Sequence, residues 1–317
     1  MNAGLLLQLL AIVAAFVLLW WGADMLVGSS ARIARRFGVS DYLIGMTIVA
    51  IGTSAPEMVV TLVAAVEGHG NVSVGNVVGS NVFNLGIILG LCAGIWTVPA
   101  ARAQVYNDVP LLVGASALLL FFVRDSALSR VEGGILLATF ALYAIWVFVR
   151  KDDGNDPAED VPRGASTWKD GPTLAVGIGA VLVGSYLLVG NAVALAKDVG
   201  VSQWVIGVTV VAAGTSVPEL ATSIAAGRRG HLALLAGNLI GSDIVNMLGV
   251  LGLAATLNTL EVAEAARWGI GTMLAAMCLL FVLMRTGWRL TRTEGALLVA
   301  VALLRWGLDL AQRSGGS

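Results

Sequence analysis

Ten apolar runs, each close to the roughly 20 residues that a helix needs to cross about 30 Å of hydrocarbon, govern what this chain can become. They lie at 5–27, 42–66, 72–98, 109–123, 131–149, 172–195, 204–226, 232–257, 267–284 and 294–311, divided by short polar stretches. The run at 109–123 is short and is expected to borrow residues on either side. Hydrophobic residues make up 57% of the 317 and charged residues only 12%. A soluble domain carries about 25% charged residues to cover its surface, so a water-soluble globule is excluded. The expectation is an all-α integral membrane protein with ten transmembrane helices. No positive charge precedes the first run, which is too long for the apolar part of a cleavable leader, so it is read as a span.

Basic residues set the orientation, because cytoplasmic loops collect them. With the N-terminus outside, the cytoplasmic side holds Arg32, Arg35, Arg36, Arg102, Arg150, Lys151, Arg163, Lys169, Arg228, Arg229, Arg285, Arg289 and Arg292. The outer side keeps only Arg124, Arg130, Lys197, Arg267, Arg305 and Arg313. Both termini are therefore placed outside, in the cell (inner or plasma) membrane. Trp96, Trp146, Trp204, Trp268 and Trp306 fall near span ends, where interfacial anchors belong; Trp20 and Trp21 sit deeper than that rule explains. The polar stretch Arg150–Pro172, with ten charged residues plus Pro157 and Pro162, reads as a flexible cytoplasmic linker too short for a folded domain. Lysine plus arginine (19) balance aspartate plus glutamate (20), which argues against a nucleic-acid partner. Cys92 and Cys278 lack metal-ligand spacing and read as buried free thiols.

The chain repeats itself at an offset of 162 residues. Gly45–Glu57 aligns with Gly207–Glu219 at 9 of 13 identical positions. The same register carries Gly75-Asn76 onto Gly237-Asn238, Gly79-Ser80 onto Gly241-Ser242, Asn84 onto Asn246 and Gly90-Leu91 onto Gly252-Leu253. It also pairs Gly22 with Gly184, Gly28 with Gly190 and Val39-Ser40 with Val201-Ser202. The expected plan is a first five-helix repeat over 1–149, a linker over 150–171 and a second five-helix repeat over 172–317. Five is odd, so the second copy enters from the opposite side. Inverted repeats are a transporter signature, with substrate held between the copies near mid-bilayer.

Each copy centres on Gly-Thr-Ser-x-Pro-Glu within an apolar span. Pro56 and Pro218 lack an N–H and are expected to break their helices, freeing carbonyls around Ala50–Thr53 and Ala212–Thr215. Backbone freed at that depth must line protein or a wet cavity. Those carbonyls, the hydroxyls of Thr53, Ser54, Thr215 and Ser216, and the carboxylates of Glu57 and Glu219 make an all-oxygen set suited to Na⁺ or Ca²⁺. A mid-bilayer carboxylate needs a compensating partner, and no Lys or Arg shares these spans. Two readings follow: protonated glutamates acting as interhelical glue, or two carboxylates facing each other and sharing a metal ion.

A second cluster, Gly-Asn-x-x-Gly-Ser-x-x-x-Asn, supplies Asn76, Ser80 and Asn84, then Asn238, Ser242 and Asn246. Ser80 with Asn84, and Ser242 with Asn246, are four apart and share a helix face. Asn76 and Asn238 serve either as ligands or as interhelical hydrogen bonds. Gly75, Gly79, Gly237 and Gly241 are expected to let this helix approach its neighbour closely. Asp243 breaks the symmetry, since Asn81 stands at its counterpart. It either adds a negative charge near the site or neutralises something outside it. Asp24 and Asp309 lie near span ends, where solvation accounts for them. His69 and His231 correspond but lie in loops on opposite sides.

These residues resemble the cation/Ca²⁺ exchanger superfamily, with the prokaryotic sodium/calcium exchangers nearest. Gly52-Thr-Ser-Ala-Pro-Glu57 with Gly75-Asn-Val-Val-Gly-Ser-Asn-Val-Phe-Asn84, and their copies, are similar to its two signature motifs, which here cover about 40–91 and 202–253. The resemblance implies a central chamber of four cation sites and no cofactor besides the transported ions. By position, Glu57, Glu219 and the carbonyls of Thr53 and Thr215 would hold Ca²⁺. Ala50, Ser54, Ser80 and Glu57, and Ala212, Thr215, Ser216, Ser242 and Glu219, would hold Na⁺, with Asn84 and Asn246 completing a middle position. In the family the first and sixth helices, here 5–27 and 172–195, slide to switch access, and Gly22/Gly184 and Gly28/Gly190 would suit that contact. Asn246 departs from the better-known members, which carry Asp there; it leaves two carboxylates in the inner shell and argues against potassium dependence.

The expected function is antiport of Ca²⁺ against Na⁺ by alternating access, in a lipid bilayer, by a chain able to act as a monomer. The alternative is proton-coupled or less selective Ca²⁺/cation exchange. An enzyme is not expected, because no histidine shares a span with Ser54 or Ser216. A passive channel fits two near-identical sites less well than counter-transport does.

Overall fold

The computed structural model describes residues 3–149, 168–198 and 212–314. The expected linker lies outside the described residues apart from 168–171, as does the stretch 204–211 of the seventh expected span. Seven helices among the described residues are long and apolar enough to cross a membrane: Leu7–Phe37, Gly70–Ile95, Gln104–Asp125, Arg130–Val147, Asp170–Leu195, Leu232–Leu257 and Ala266–Gly287. The bent pair Asp41–Thr53 and Ala55–Val66 makes an eighth if counted as one span. The short run at 109–123 does borrow on both sides. Val217–Arg228 and Arg292–Ser314 occupy the two remaining expected positions as helices.

Polarity is inside out. Phe16, Val63, Val131, Leu142 and Tyr186 are exposed, while Glu57, Asp108, Glu219 and Asp243 are fully buried. Apolar flanks around buried carboxylates are what a lipid solvent selects, so the chain is an integral membrane protein. Cys92 is buried as expected, but Cys278 is exposed, because its position on the helix Glu264–Gly287 turns it away from the packed face.

The helices divide into two compact units, each drawing on both sequence repeats. The first comprises Met1–Pro56 and Asp152–Asn238. In it the long helices Ala3–Phe37 and Asp170–Asp198 run against each other through reciprocal glycines. A Cβ on Gly22 would lie 2.8 Å from Ala180 Cβ and 2.9 Å from Val181 N; one on Gly184 would lie 3.0 Å from Leu19 N. Gly28 and Gly190 do not share this role: Gly28 faces the Arg229 guanidinium, and a Cβ on Gly190 meets nothing within 4 Å. Arg32 pairs with Asp170 at 2.6 Å, and Arg229 Nε with Asp24 Oδ1 at 2.6 Å, so Asp24 holds an ion pair and not merely solvent. Arg228 lies 3.7 Å over the ring of Trp20, which gives that deep tryptophan a cation–π partner.

The second unit comprises Glu57–Lys151 and Leu239–Ser317. Its contacts are exchanged between repeats. A Cβ on Gly90 would lie 2.9 Å from Gly295 O, and one on Gly252 2.7 Å from Leu137 N and 3.1 Å from Gly133 O. Two short antiparallel ladders, which the sequence did not suggest, follow the same rule: Val98 pairs with Leu290, and Leu128 with Leu260. Gly75 and Gly79 depart from expectation, since an added Cβ there meets nothing within 4 Å, whereas Gly237, in the first unit, is pressed against Tyr42.

Element boundaries keep the 162-residue offset. Ala55–Val66 matches Val217–Arg228, Gly70–Val82 matches Leu232–Ile244, and Leu89–Ile95 matches Leu251–Leu257. Ser126 and Trp288, also 162 apart, are the only non-glycine residues with positive φ among the described residues, at 67° and 54°.

Candidate functional site

The helix break falls where the motif places it. Between Ala50–Thr53 and Ala55–Val66 the axis bends by 51° at Ser54, whose φ and ψ are −76° and 5°. Ser216 repeats that conformation at −89° and 11°. Both sit in the sparsely populated bridge region that active-site residues often occupy. Pro56 and Pro218 have no N–H for the carbonyls of Gly52 and Gly214, four residues back. The Gly214 carbonyl instead accepts the Ser185 hydroxyl at 3.3 Å. Ala23 stands at the counterpart of Ser185, so the first copy cannot make this bond. The Ala50 carbonyl, expected to be freed, accepts Ser54 N at 3.0 Å and Thr53 Oγ1 at 3.4 Å.

In the first unit Glu219 is fully buried, and Ser54 Oγ from the other repeat donates to its Oε1 at 3.2 Å. Thr53 Oγ1 donates to Asn238 Oδ1 at 3.2 Å. The Thr215 hydroxyl is buried without a hydrogen-bond partner. Ala50 and Ser216 are buried, and Ala212 opens the short helix Ala212–Gly214. Among the sequence-derived site residues, this unit therefore joins Thr53 and Ser54 of one copy to Glu219 and Asn238 of the other.

In the second unit Glu57, Ser80, Asn84, Ser242 and Asn246 are all buried. Asn76 takes the interhelical role: its Nδ2 donates to Thr61 Oγ1 at 3.0 Å and to the Glu57 carbonyl at 3.3 Å. Ser80 Oγ donates to Val77 O at 3.2 Å. Asn84 and Asn246 lie in matching π-helical turns, Phe83–Ile88 and Val245–Val250, a local widening that recurs at functional sites. Asn84 Nδ2 donates to Asp243 Oδ1 at 3.0 Å, leaving Asn84 Oδ1 buried and without a donor. Both polar atoms of Asn246 are buried without hydrogen bonds. Asp243 thus lies beside an expected ligand, Asn84.

One buried carboxylate escaped the sequence reading. Asp108, in the π-helical turn Gln104–Asp108, accepts Tyr143 Oη at 2.7 Å. A lone Asp at the edge of an apolar run carries no motif, and only the contact with Tyr143 makes it visible. Among the described residues no group of three or more His, Cys, Asp or Glu side chains is placed to hold a metal ion. The buried oxygens here are single carboxylates among amides, hydroxyls and carbonyls, donor types that suit Na⁺ and Ca²⁺.

A family model described as sodium/calcium exchanger protein matches residues 7–149 and again 172–304. The chain belongs to the sodium/calcium exchanger family. The sodium/calcium exchanger MaX1 of Methanosarcina acetivorans is 30% identical over 333 residues, covering 92% of this chain and 95% of the relative. The inner membrane protein YrbG of Escherichia coli is 31% identical over 320 residues, covering 95% and 98%. Among solved structures, the sodium-calcium exchanger NCX_Mj soaked with Na⁺ and Ca²⁺ superposes with a TM-score of 0.83 at 30% identity, covering 94% of this chain and 97% of that one. The double match of the family model falls on the two repeats, and the exchanger resemblance of the motifs is borne out.

Proposed function

We propose that this exchanger-family chain moves Ca²⁺ out of the cell against an inward flow of Na⁺, by alternating access through two inverted five-helix repeats, ten spans in all. The observation that carries this reading is Glu219, a fully buried carboxylate whose Oε1 takes a hydroxyl from the broken helix of the opposite repeat. A carboxylate so deep in an apolar body is stable only with a compensating cation or proton. Contacts exchanged between copies, Gly90 with Gly295 and Gly133 with Gly252, support a two-fold relation between them.

In this reading Glu57, Glu219 and the carbonyls of Thr53 and Thr215 hold Ca²⁺. Na⁺ takes Ala50, Ser54, Ser80 and Glu57, or Ala212, Thr215, Ser216, Ser242 and Glu219, and Asn84 and Asn246 serve a middle position. The helices Ala3–Phe37 and Asp170–Asp198, joined through small residues, are the sliding pair. Both termini lie outside, following the distribution of Arg and Lys.

Uptake of radiolabelled Ca²⁺ into proteoliposomes tests the reading. An opposing Na⁺ gradient should accelerate it, and Glu57→Gln or Glu219→Gln should each lower it at least about a hundredfold, the scale expected when a buried ligand charge of roughly 3 kcal/mol is lost. Uptake indifferent to both substitutions refutes the site. Uptake driven by a pH gradient and not by Na⁺ assigns the proton as coupling ion instead.

A further inference from the structure

Within the motif Gly-Asn-x-x-Gly-Ser-x-x-x-Asn, Asp243 breaks the chemical match between the copies. Its counterpart at the 162-residue offset is Asn81, a neutral amide. It is fully buried and precedes Asn246 by one turn. Asn84 Nδ2 donates to Asp243 Oδ1 at 3.0 Å, and Asn81 Nδ2 donates to the Asp243 carbonyl at 3.3 Å. Both amides thereby commit their N–H groups to Asp243. Their oxygens, Asn81 Oδ1 and Asn84 Oδ1, are left buried with no hydrogen bond, and both polar atoms of Asn246 are in the same condition. Buried amide oxygens without donors are rare, because each costs the desolvation of a polar atom. Beside a carboxylate, they have the chemistry of a hard-cation ligand set.

We infer that Asp243 is a specificity-determining residue: its carboxylate adds a negative charge to the cation-binding oxygens of Asn84 and Asn246 and turns the Asn84 amide oxygen toward the ion. The inference rests on the proposed reading that Asn84 and Asn246 hold ions. At equal distance a carboxylate attracts a divalent ion twice as strongly as a monovalent one, so Asp243 tilts the site toward Ca²⁺ over Na⁺. The charge missing at Asn246 is supplied one turn earlier on the same helix.

Asp243→Asn separates charge from shape, since the new amide oxygen still accepts from Asn84. In proteoliposomes of detergent-purified, monodisperse protein, half-saturating Ca²⁺ should rise about tenfold or more, while the Na⁺ concentration that half-competes moves less than about threefold. Adding Asn246→Asp, which returns a carboxylate one turn on, should restore half-saturating Ca²⁺ to within about threefold of wild type. A purely structural Asp243 would change stability and leave the Ca²⁺/Na⁺ preference alone. Wild-type preference in Asp243→Asn, with uptake still lost in Glu57→Gln, overturns this inference and leaves the proposed site intact. Uptake retained in Glu57→Gln removes the proposed site itself. If Asp243→Asn is not monodisperse, the double variant decides: wild-type half-saturation carries the inference, and a tenfold loss overturns it.

Discussion

Ser54 does two things that pull in different directions. It bends the backbone between two helices, and its hydroxyl crosses to Glu219 in the other repeat. A hydrogen bond to a charged acceptor is worth about 1.5–3 kcal/mol. Ser54→Ala should therefore lower the melting temperature in detergent and raise half-saturating Na⁺ about tenfold, read from Na⁺-driven Ca²⁺ uptake. Unchanged Na⁺ dependence would show that the hydroxyl serves structure alone. Much at this scale was legible in advance. Glu57, Glu219, Asn84 and Asn246 stand out because polar groups in apolar spans need a reason, and the structure buries all four. The partnerships were not legible. That Ser54 reaches Glu219, or that Asp243 takes Asn84, depends on the packing of segments more than 150 residues apart. No local pattern encodes it.

At the scale of elements, glycine positions separate close approach from mere flexibility. Gly22 and Gly184 are occupied by the opposing backbone, whereas Gly190 has open space around it. Gly22→Ala should push apart the helices Ala3–Phe37 and Asp170–Asp198, costing roughly 1–3 kcal/mol by overpacking and slowing exchange at saturating ions severalfold. Gly190→Ala should behave as wild type in the same uptake assay; equal effects at both positions would sink the distinction. The sequence paired all four glycines by register but could not say which faces met, since that depends on helix rotation. The starts of Arg130–Val149 and Arg292–Ser314 carry a local signal in the sequence. Ser129 with Glu132, and Thr291 with Glu294, form capping boxes, the carboxylates accepting backbone N–H at 2.8 and 2.7 Å. The π-helical turns around Asn84 and Asn246 had no sequence signal, because one residue of extra winding leaves hydrophobic periodicity nearly unchanged.

At the scale of the molecule, duplication governs. In the second unit, Gly90 with Gly295 and Gly133 with Gly252, and the two short ladders, come in exchanged pairs, so substitutions at these positions have counterparts 162 residues away. One bond without a counterpart is the Ser185 hydroxyl on Gly214 O, which Ala23 cannot reproduce. Ser185→Ala should remove about 1 kcal/mol from the arrangement described and shift the ratio of half-saturating Ca²⁺ measured from the two faces about fivefold. Right-side-out and inside-out vesicles would read that ratio, and an unchanged value counts against a role in poise. A pump-handle built from two faithful halves would idle with no preference for either end of its stroke. In the proposed exchange cycle, one serine facing one broken turn would give it a parked position.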